Sequence, residues 1–269
     1  MKFVIGLMTG ITLSIILIQS VMAQESPAGK PDTTFHIYLL IGQSNMAGRG
    51  AVDSISKVQR PRILMLDKNR QFVPATDPLH FDKKEAGVGP GISFAESMLP
   101  ADGAVRIGLV PAAVGGTSIT LWVPGAYDSI TKTHPYDDAM VRLKEALKYG
   151  VLKGILWHQG ESNSGSFSVS PTYMSQLEAL IKRIRVELHV PDVPVVVGEL
   201  GYYRPAFSHF NAMLKQVPDS IAFSAVVSAE GLGHKGDNLH FNTAAARELG
   251  KRYAVKMKEL QQAAQGLSK

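Results

Sequence analysis

The chain has 269 residues, of which 45% are apolar and 19% are charged, and its formal net charge is +5. This composition is typical of a folded globular protein and excludes a disordered or fibrous one. The small positive charge is spread along the chain without a cluster of lysine and arginine, so nucleic acid is not expected as a partner. Because cysteine is absent, neither disulfides nor a lipid-bearing cysteine can stabilise or anchor the protein.

The first residues have the pattern of a secretory signal. Lys2 precedes a long uncharged run, and the sequence Val-Met-Ala at residues 21–23 suits a cleavage site. We therefore predict a signal peptide over residues 1–23, a linker over 24–34 and a single domain over 35–265. The expected location is the periplasm or the outside of a bacterial cell, without membrane association after cleavage. The alternative is an uncleaved membrane anchor, because the apolar run is nearly long enough to cross a bilayer.

Apolar runs rich in β-branched residues alternate with helical patterns along the rest of the chain. They predict buried strands at residues 35–41, 62–66, 105–111, 154–157, 193–198 and 221–227. Helices are predicted at residues 136–147, at 171–189 and from near Asn242, which is a good N-cap. Strands that alternate with helices favour one α/β domain, a three-layer α/β/α sandwich with a mostly parallel central sheet.

Three polar turns that contain glycine follow three of the predicted strands. They are GQSN at residues 42–45, AAVGGTSITLW at 112–122 and HQGESN at 158–163. Ligands of open α/β sheets bind outside the carboxyl ends of the strands, so the three turns should meet at one rim. We expect a functional site at this rim, with Ser44 exposed at the end of the first strand.

A pair of residues near the last helix could activate such a serine. A serine hydroxyl needs a base to remove its proton, and a carboxylate usually orients that base. In the stretch GDNLHFN, Asp237 and His240 are three residues apart, so Asp237 can hold one ring nitrogen while the other faces Ser44. The alternatives are a surface loop in which the aspartate only caps a turn, and His234 as the base.

Acyl transfer also requires hydrogen-bond donors for the oxyanion of the tetrahedral intermediate. Ser44 offers its backbone N–H, and Gly116 offers a second N–H because glycine lets the backbone approach a ligand closely. Gln159 offers a side-chain amide N–H from the end of the fourth predicted strand. The alternatives are a plain tight turn for the glycine pair and an ordinary polar loop residue for Gln159.

Five stretches occur in order along the chain: IGQSNMAGRG, GVGPGISFAESM, AAVGGTSI, PYDDAMVRLKEALKYGVLKGILWHQGESN and KGDNLHFN. Together they resemble the SGNH-hydrolase superfamily, and within it the sialate O-acetylesterase-like branch that includes acetylxylan esterases of carbohydrate esterase family six. The resemblance covers residues 35–253 and implies a flavodoxin-like fold. It implies Ser44 as nucleophile, His240 as base and Asp237 as the residue that orients the base. The oxyanion donors that it implies are Ser44, Gly116 and Gln159.

The resemblance also implies an activity and its rivals. We expect a serine esterase that removes O-acetyl groups from acetylated xylan, sialic acid or a related glycan through an acyl-serine intermediate, without cofactor. Gln43 stands where the wider superfamily has aspartate, and Gln159 stands where it has asparagine. The rivals are a lipase- or thioesterase-like enzyme for longer acyl chains and a carbohydrate-binding protein that has lost catalysis.

Four neighbouring residues are candidates for supporting or substrate-binding roles. Gln43 and Asn45 flank the serine. Glu161 is either a clamp on the Gln159 turn, which we favour, or a second carboxylate near the base. Trp122 is either a platform for a sugar ring or, as we favour, a packing anchor. No metal site is expected, because none of the eight histidines has the ligand spacing of a common zinc motif.

Overall fold

The structure is a computed structural model that describes residues 30–101, 103–165 and 170–267. The predicted signal peptide, its membrane-anchor alternative and most of the predicted linker lie outside the described residues. Within the described part of the chain, no helix combines the length and the apolar character that a membrane span requires.

Strands and helices alternate along the described chain. The strands are β1 (Asp32–Gly42), β2 (Ile63–Leu66), β3 (Phe72–Pro74), β4 (Arg106–Pro111), β5 (Gly150–His158), β6 (Val195–Gly198) and β7 (Ser224–Val227). The α-helices are α1 (Ser44–Ala47), α2 (Gly91–Met98), α3 (Pro135–Ala146), α4 (Ser170–Glu187), α5 (Pro205–Leu214), α6 (Val217–Ser220) and α7 (Thr243–Leu267). Short 3₁₀ helices occupy Ile55–Lys57 and Ile119–Leu121.

The strands form one sheet in the order β3-β2-β4-β1-β5-β6-β7. All neighbouring strands are parallel except β2 and β3, which confirms the expected mostly parallel sheet. Strands β2, β3 and β4 lie on one side of β1 in the sheet, and strands β5, β6 and β7 lie on the other side. The strand order therefore reverses at β1, and a crevice for ligands is expected at its carboxyl end.

Side chains of β1 point alternately into two cores on opposite faces of the sheet. Ile37, Leu39 and Ile41 belong to the core that α3, α4 and α5 close. Tyr38 and Leu40 belong to the core that α2 and α7 close. A central strand buried on both faces needs a continuous apolar run, which is why residues 35–41 could be recognised as a strand. The expected three-layer α/β/α sandwich is confirmed.

All six predicted strands and all three predicted helices are present, with ends shifted by a few residues. Asn242 caps α7 as expected, because its Oδ1 accepts a hydrogen bond from the Ala245 N–H at 2.9 Å. The start of the domain differs from the prediction, since β1 begins at Asp32, inside the linker predicted over 24–34. Asp32 pairs with Gly150. The exposed side chains at this end of the strand gave no apolar signal.

Candidate active site

A sharp turn after β1 delivers Ser44 to the rim of the sheet. Gly42 has a φ of +129°, and a Cβ at this position would lie 2.1 Å from the His158 carbonyl oxygen, so glycine is required. The same carbonyl accepts a hydrogen bond from the Gln43 N–H at 2.9 Å. Ser44 then begins α1. It is only 5% exposed and lines a cavity of about 400 Å³, so the expectation of an exposed serine is wrong.

Ser44, His240 and Asp237 form a continuous chain of hydrogen bonds. Nε2 of His240 lies 3.0 Å from Oγ of Ser44, and Nδ1 lies 2.7 Å from Oδ2 of Asp237. The other carboxylate oxygen of Asp237 accepts from the backbone N–H groups of Leu239 and His240. The structure therefore brings together the three residues expected to act as nucleophile, base and orienter.

The surroundings of these groups favour a neutral imidazole beside an ionised carboxylate. Burial lowers the pKa of His240, and the hydrogen bond from its ring to Asp237 opposes that shift. Burial acts to raise the pKa of Asp237, but hydrogen bonds from the His240 backbone and ring prevail and lower it to about 2. At neutral pH the ring can thus accept the Ser44 proton while a negative charge supports it.

His234, the alternative base, has a different role. Its Nδ1 accepts hydrogen bonds from the backbone N–H groups of Gly236 and Asn238, at 3.0 and 3.2 Å, and its ring packs against Tyr203. These contacts shape the loop that carries Asp237. They leave His234 without a contact to Ser44.

Asn45 joins the serine turn to the loop of the base. Its Nδ2 donates to the Leu239 carbonyl at 3.1 Å, and its Oδ1 accepts from the Phe241 N–H at 3.1 Å. The side chain next to the nucleophile is therefore hydrogen-bonded to the backbone on both sides of His240. Nδ2 also donates to Oε1 of Glu161 at 2.5 Å.

Glu161 is buried beside the cavity, and burial raises its pKa to about 7. Its Oε1 accepts from Asn45 and lies 3.8 Å from Nε2 of His158, whose own pKa burial lowers to about 3. No hydrogen bond joins it to His240. The structure thus favours the clamp alternative for Glu161, although the residue it clamps is Asn45 rather than the Gln159 turn.

Gln159 is not placed as the third oxyanion donor, which corrects the sequence expectation. Its side chain is fully buried, and its Nε2 faces three acceptor oxygens at 2.6 to 3.1 Å. These oxygens belong to Gln43, Thr117 and Asn163. An amide nitrogen has two hydrogens, so none remains for a bound ester. Gln43, the other residue beside Ser44, is thereby fixed, and its Oε1 also accepts from the Ser162 N–H at 3.3 Å.

The other two expected donors do line the cavity. Ser44 is the first residue of α1, so its N–H has no partner within the helix. Gly116 is exposed with a φ of +91°, and within the described residues its N–H donates to no backbone carbonyl. A Cβ on Gly115 would lie 3.4 Å from Cβ of Ser44, so the glycine turn runs directly beside the nucleophile.

Trp122 is a packing anchor and cannot stack on a sugar. It is 1% exposed, and its ring meets the edge of Trp157 at a centroid distance of 5.2 Å. Its Nε1 donates to Oγ1 of Thr117 at 3.3 Å. It thus holds the loop that carries Gly116 onto the core.

Four charged residues on the cavity wall were missed by the sequence analysis: Arg49, Lys83, Glu85 and Arg204. Lys83 donates to the Gly115 carbonyl at 2.7 Å, and Arg204 donates through Nε to the Asn238 carbonyl at 2.9 Å. Arg49 belongs to the motif IGQSNMAGRG, which could have indicated it. Lys83 and Arg204 lie in loops without a motif, so only the fold reveals them.

Comparisons with known proteins agree with this geometry. Residues 34–259 match the family model described as carbohydrate esterase, sialic acid-specific acetylesterase. A protein of Arabidopsis thaliana named a probable carbohydrate esterase is 35% identical over 238 residues, which cover 80% of this chain and 86% of that relative.

Two solved structures have the same fold. An X-ray structure of an Arabidopsis thaliana protein superposes with a TM-score of 0.72 at 33% identity, covering 83% of this chain and 98% of the other. The crystal structure of NanS superposes with a TM-score of 0.70 at 18% identity, covering 87% of this chain and 99% of the other. At this lower identity the likeness to NanS shows the fold alone.

Proposed function

The chain belongs to the carbohydrate esterase family described as sialic acid-specific acetylesterases, and we propose that it removes O-acetyl groups from a carbohydrate through an acyl-serine intermediate. The observation that carries the mechanism is the unbroken hydrogen-bond chain from Asp237 through His240 to Ser44 on a cavity wall. An intact chain of this kind also disfavours a binding protein that has lost catalysis.

In the first half of the reaction, Oγ of Ser44 attacks the acetyl carbonyl while Nε2 of His240 takes its proton. The N–H groups of Ser44 and Gly116 then donate to the oxyanion, whose charge exists only in the intermediate and the flanking transition states. The imidazolium, stabilised by Asp237, passes the proton to the departing sugar hydroxyl. The products are an alcohol and an acetyl-serine.

In the second half, water attacks the acetyl-serine while His240 accepts one of its protons. The same two N–H groups meet the second oxyanion. Collapse of this intermediate breaks the bond to Ser44 Oγ, which recovers its proton from His240, and acetate leaves.

Replacement of Ser44 by alanine tests the proposal. We expect Ser44→Ala to remove acetate release from nitrophenyl acetate while the fold stays intact, because only a hydroxyl that lines a cavity is lost. A serine-directed organophosphonate should label the parent once, at Ser44. A label elsewhere, or equal activity in the folded variant, would end the serine-esterase proposal.

The length of the acyl group separates the acetylesterase from its enzymatic rival. Acetyl and octanoyl nitrophenyl esters present the same leaving group to Ser44. We expect the acetyl ester to have the higher kcat/KM. A higher kcat/KM for the octanoyl ester would favour a lipase-like enzyme.

The charges on the cavity wall favour an acidic sugar such as sialic acid over neutral xylan. Lys83 uses one N–H on Gly115, and two remain for a ligand. Its ammonium would lie 3.9 Å from a Cβ on Gly116, so it stands beside an oxyanion donor. Arg204 uses Nε on the protein and keeps its other N–H groups. Together they can bind a sugar carboxylate near the ester.

We expect Lys83→Met to raise KM several-fold for O-acetylated sialic acid and to leave KM for acetylated xylooligosaccharide unchanged. The neighbouring, exposed Lys84 provides the matched control, because Lys84→Met removes the same charge away from the cavity wall. Equal KM values for the acidic sugar in parent and Lys83→Met would contradict this choice of substrate.

The proposed location is the periplasm or the exterior of a bacterial cell. It is supported by the signal pattern over residues 1–23. The protein recovered after expression with its own leader should begin at Gln24. An intact N-terminus on a membrane-bound protein would favour the anchor.

A further inference from the structure

Arg49 lies beside both the serine turn and the glycine turn. Its Nη1 donates to the Gly48 carbonyl at 2.6 Å and reaches the Ser44 carbonyl at 3.4 Å. Its Nη2 lies where a side chain on Gly115 would be, since a Cβ there would come within 2.2 Å of this nitrogen. The guanidinium therefore lies against both the serine turn and the turn that carries the Gly116 N–H.

The positive charge of Arg49 has no ion-pair partner among the described residues. Its hydrogen bonds go to backbone carbonyls, and Glu85 interacts with it only at longer range. Burial lowers the pKa of Arg49, but an arginine pKa starts so high that the group stays protonated at neutral pH. A half-buried, unpaired cation thus lies on the wall of the active-site cavity.

The same charge acts on His240. The charged groups that shift the pKa of this ring are Asp237, which raises it, and Arg49 and Lys235, which lower it. The other charged side chains on the cavity wall are Lys83, Glu85, Glu161 and Arg204. Arg49 is the cation that also contacts the serine turn.

We propose that Arg49 is a positioning residue of the esterase reaction: its guanidinium holds the Ser44 turn against the Gly115 turn and places a permanent positive charge beside the forming oxyanion and the base. This inference rests on the proposed acyl-serine mechanism. The positive charge of Arg49 also gives the oxyanion electrostatic stabilisation that the Gln159 amide, which has no free hydrogen, cannot provide.

Two substitutions separate the charge of Arg49 from its shape. Arg49→Met should lower kcat for nitrophenyl acetate about 10²-fold with little change in KM, because the charge acts on the transition state. It should also move the acid limb of the kcat/KM profile to higher pH, because a cation that disfavours imidazolium is gone. Arg49→Lys should restore the position of the limb and only part of kcat, since lysine lacks the planar fork.

The control is Lys68→Met, which removes one exposed positive charge in the turn between β2 and β3 and should change neither kcat nor the limb. Melting curves establish that each variant is folded. A loss of kcat that is equal in the two Arg49 variants, with an unmoved acid limb, would reduce Arg49 to a structural residue. If the kcat of Arg49→Met equals the kcat of the parent, the inference is overturned. Failure of the proposed function is distinct, because the parent itself would then lack organophosphonate labelling at Ser44.

Discussion

The ring of His240 can act as the base only in its neutral form with the proton on Nδ1. In that form Nδ1–H donates to Asp237 and the bare Nε2 accepts from the Ser44 hydroxyl. Because burial lowers the pKa of His240 below its ordinary value of 6.5, the neutral ring persists into mildly acidic solution. The reactive arrangement should therefore survive at pH values where an exposed histidine would already be charged.

This residue predicts the pH dependence of the reaction. As pH falls, kcat/KM should stay constant to a midpoint below 6.5 and then fall about tenfold per pH unit, because imidazolium cannot accept the serine proton. Initial rates with nitrophenyl acetate from pH 4 to 8 measure the midpoint. A flat profile would contradict the assignment of His240 as the base, and a midpoint above 6.5 would show that Asp237 outweighs burial in setting the pKa of His240.

At the scale of elements, the site is three turns at the carboxyl ends of β1, β4 and β5, joined by the loop before α7. The sequence could predict these turns because apolar runs and glycines mark where buried strands end. It could also predict the pairing of Asp237 with His240, which are close in the chain. It could not predict that the Gln159 amide is used internally, because its partners Gln43 and Thr117 come from distant segments.

The elements missed by the sequence analysis lack such signals. β3 has three half-buried residues at the sheet edge, too few for an alternating pattern. α5 begins at Pro205 and has ten residues, and the preceding polar loop gives it no side-chain cap. The loop between β6 and α5 nevertheless supplies Arg204 to the cavity. Positions of this kind depend on how elements pack, and a local pattern does not contain that information.

Substitution of Asn45 tests how far the site depends on the hydrogen bonds between α1 and the loop before α7. Asn45→Ala removes the hydrogen bonds that fix Leu239 and Phe241 on either side of His240. We expect kcat to fall about 10- to 100-fold, as a small displacement of the base does, and the Phe241 amide to exchange hydrogen faster. Asn69→Ala, which removes a hydrogen bond within an exposed turn, is the control. If the Phe241 amide of Asn45→Ala exchanges hydrogen at the rate of the parent, the loop keeps its conformation without the hydrogen bonds from Asn45.

Across the whole molecule, buried ionisable groups act in opposite directions on stability. Burial lowers the pKa of His80 and His158 to about 3, so these rings favour the folded state above pH 6.5 and that stability is lost as pH falls. Burial raises the pKa of Asp77 and Glu161 to about 7, so these carboxyls favour the folded state at low pH. Their contribution is lost as pH rises toward 7. The two trends partly cancel between about pH 4 and 7.

Glu161→Gln tests the contribution of one buried carboxyl to the pH dependence of stability. Glutamine keeps the oxygen that accepts from Asn45 but cannot ionise, so the variant avoids the cost of a buried charge that the parent meets as pH rises from 4.5 through about 7. Its free energy of unfolding in urea, relative to the parent, should therefore be higher at pH 8 than at pH 4.

Glu187→Gln is the matched control, and its pH dependence is expected to have the opposite sign. Hydrogen bonds from Lys144 and Tyr136 lower the pKa of Glu187, so its loss should destabilise the protein more at pH 8 than at pH 4. If Glu161→Gln shows the same sign of pH dependence as Glu187→Gln, the carboxyl of Glu161 is ionised in the folded protein, and its clamp on Asn45 is a charged one.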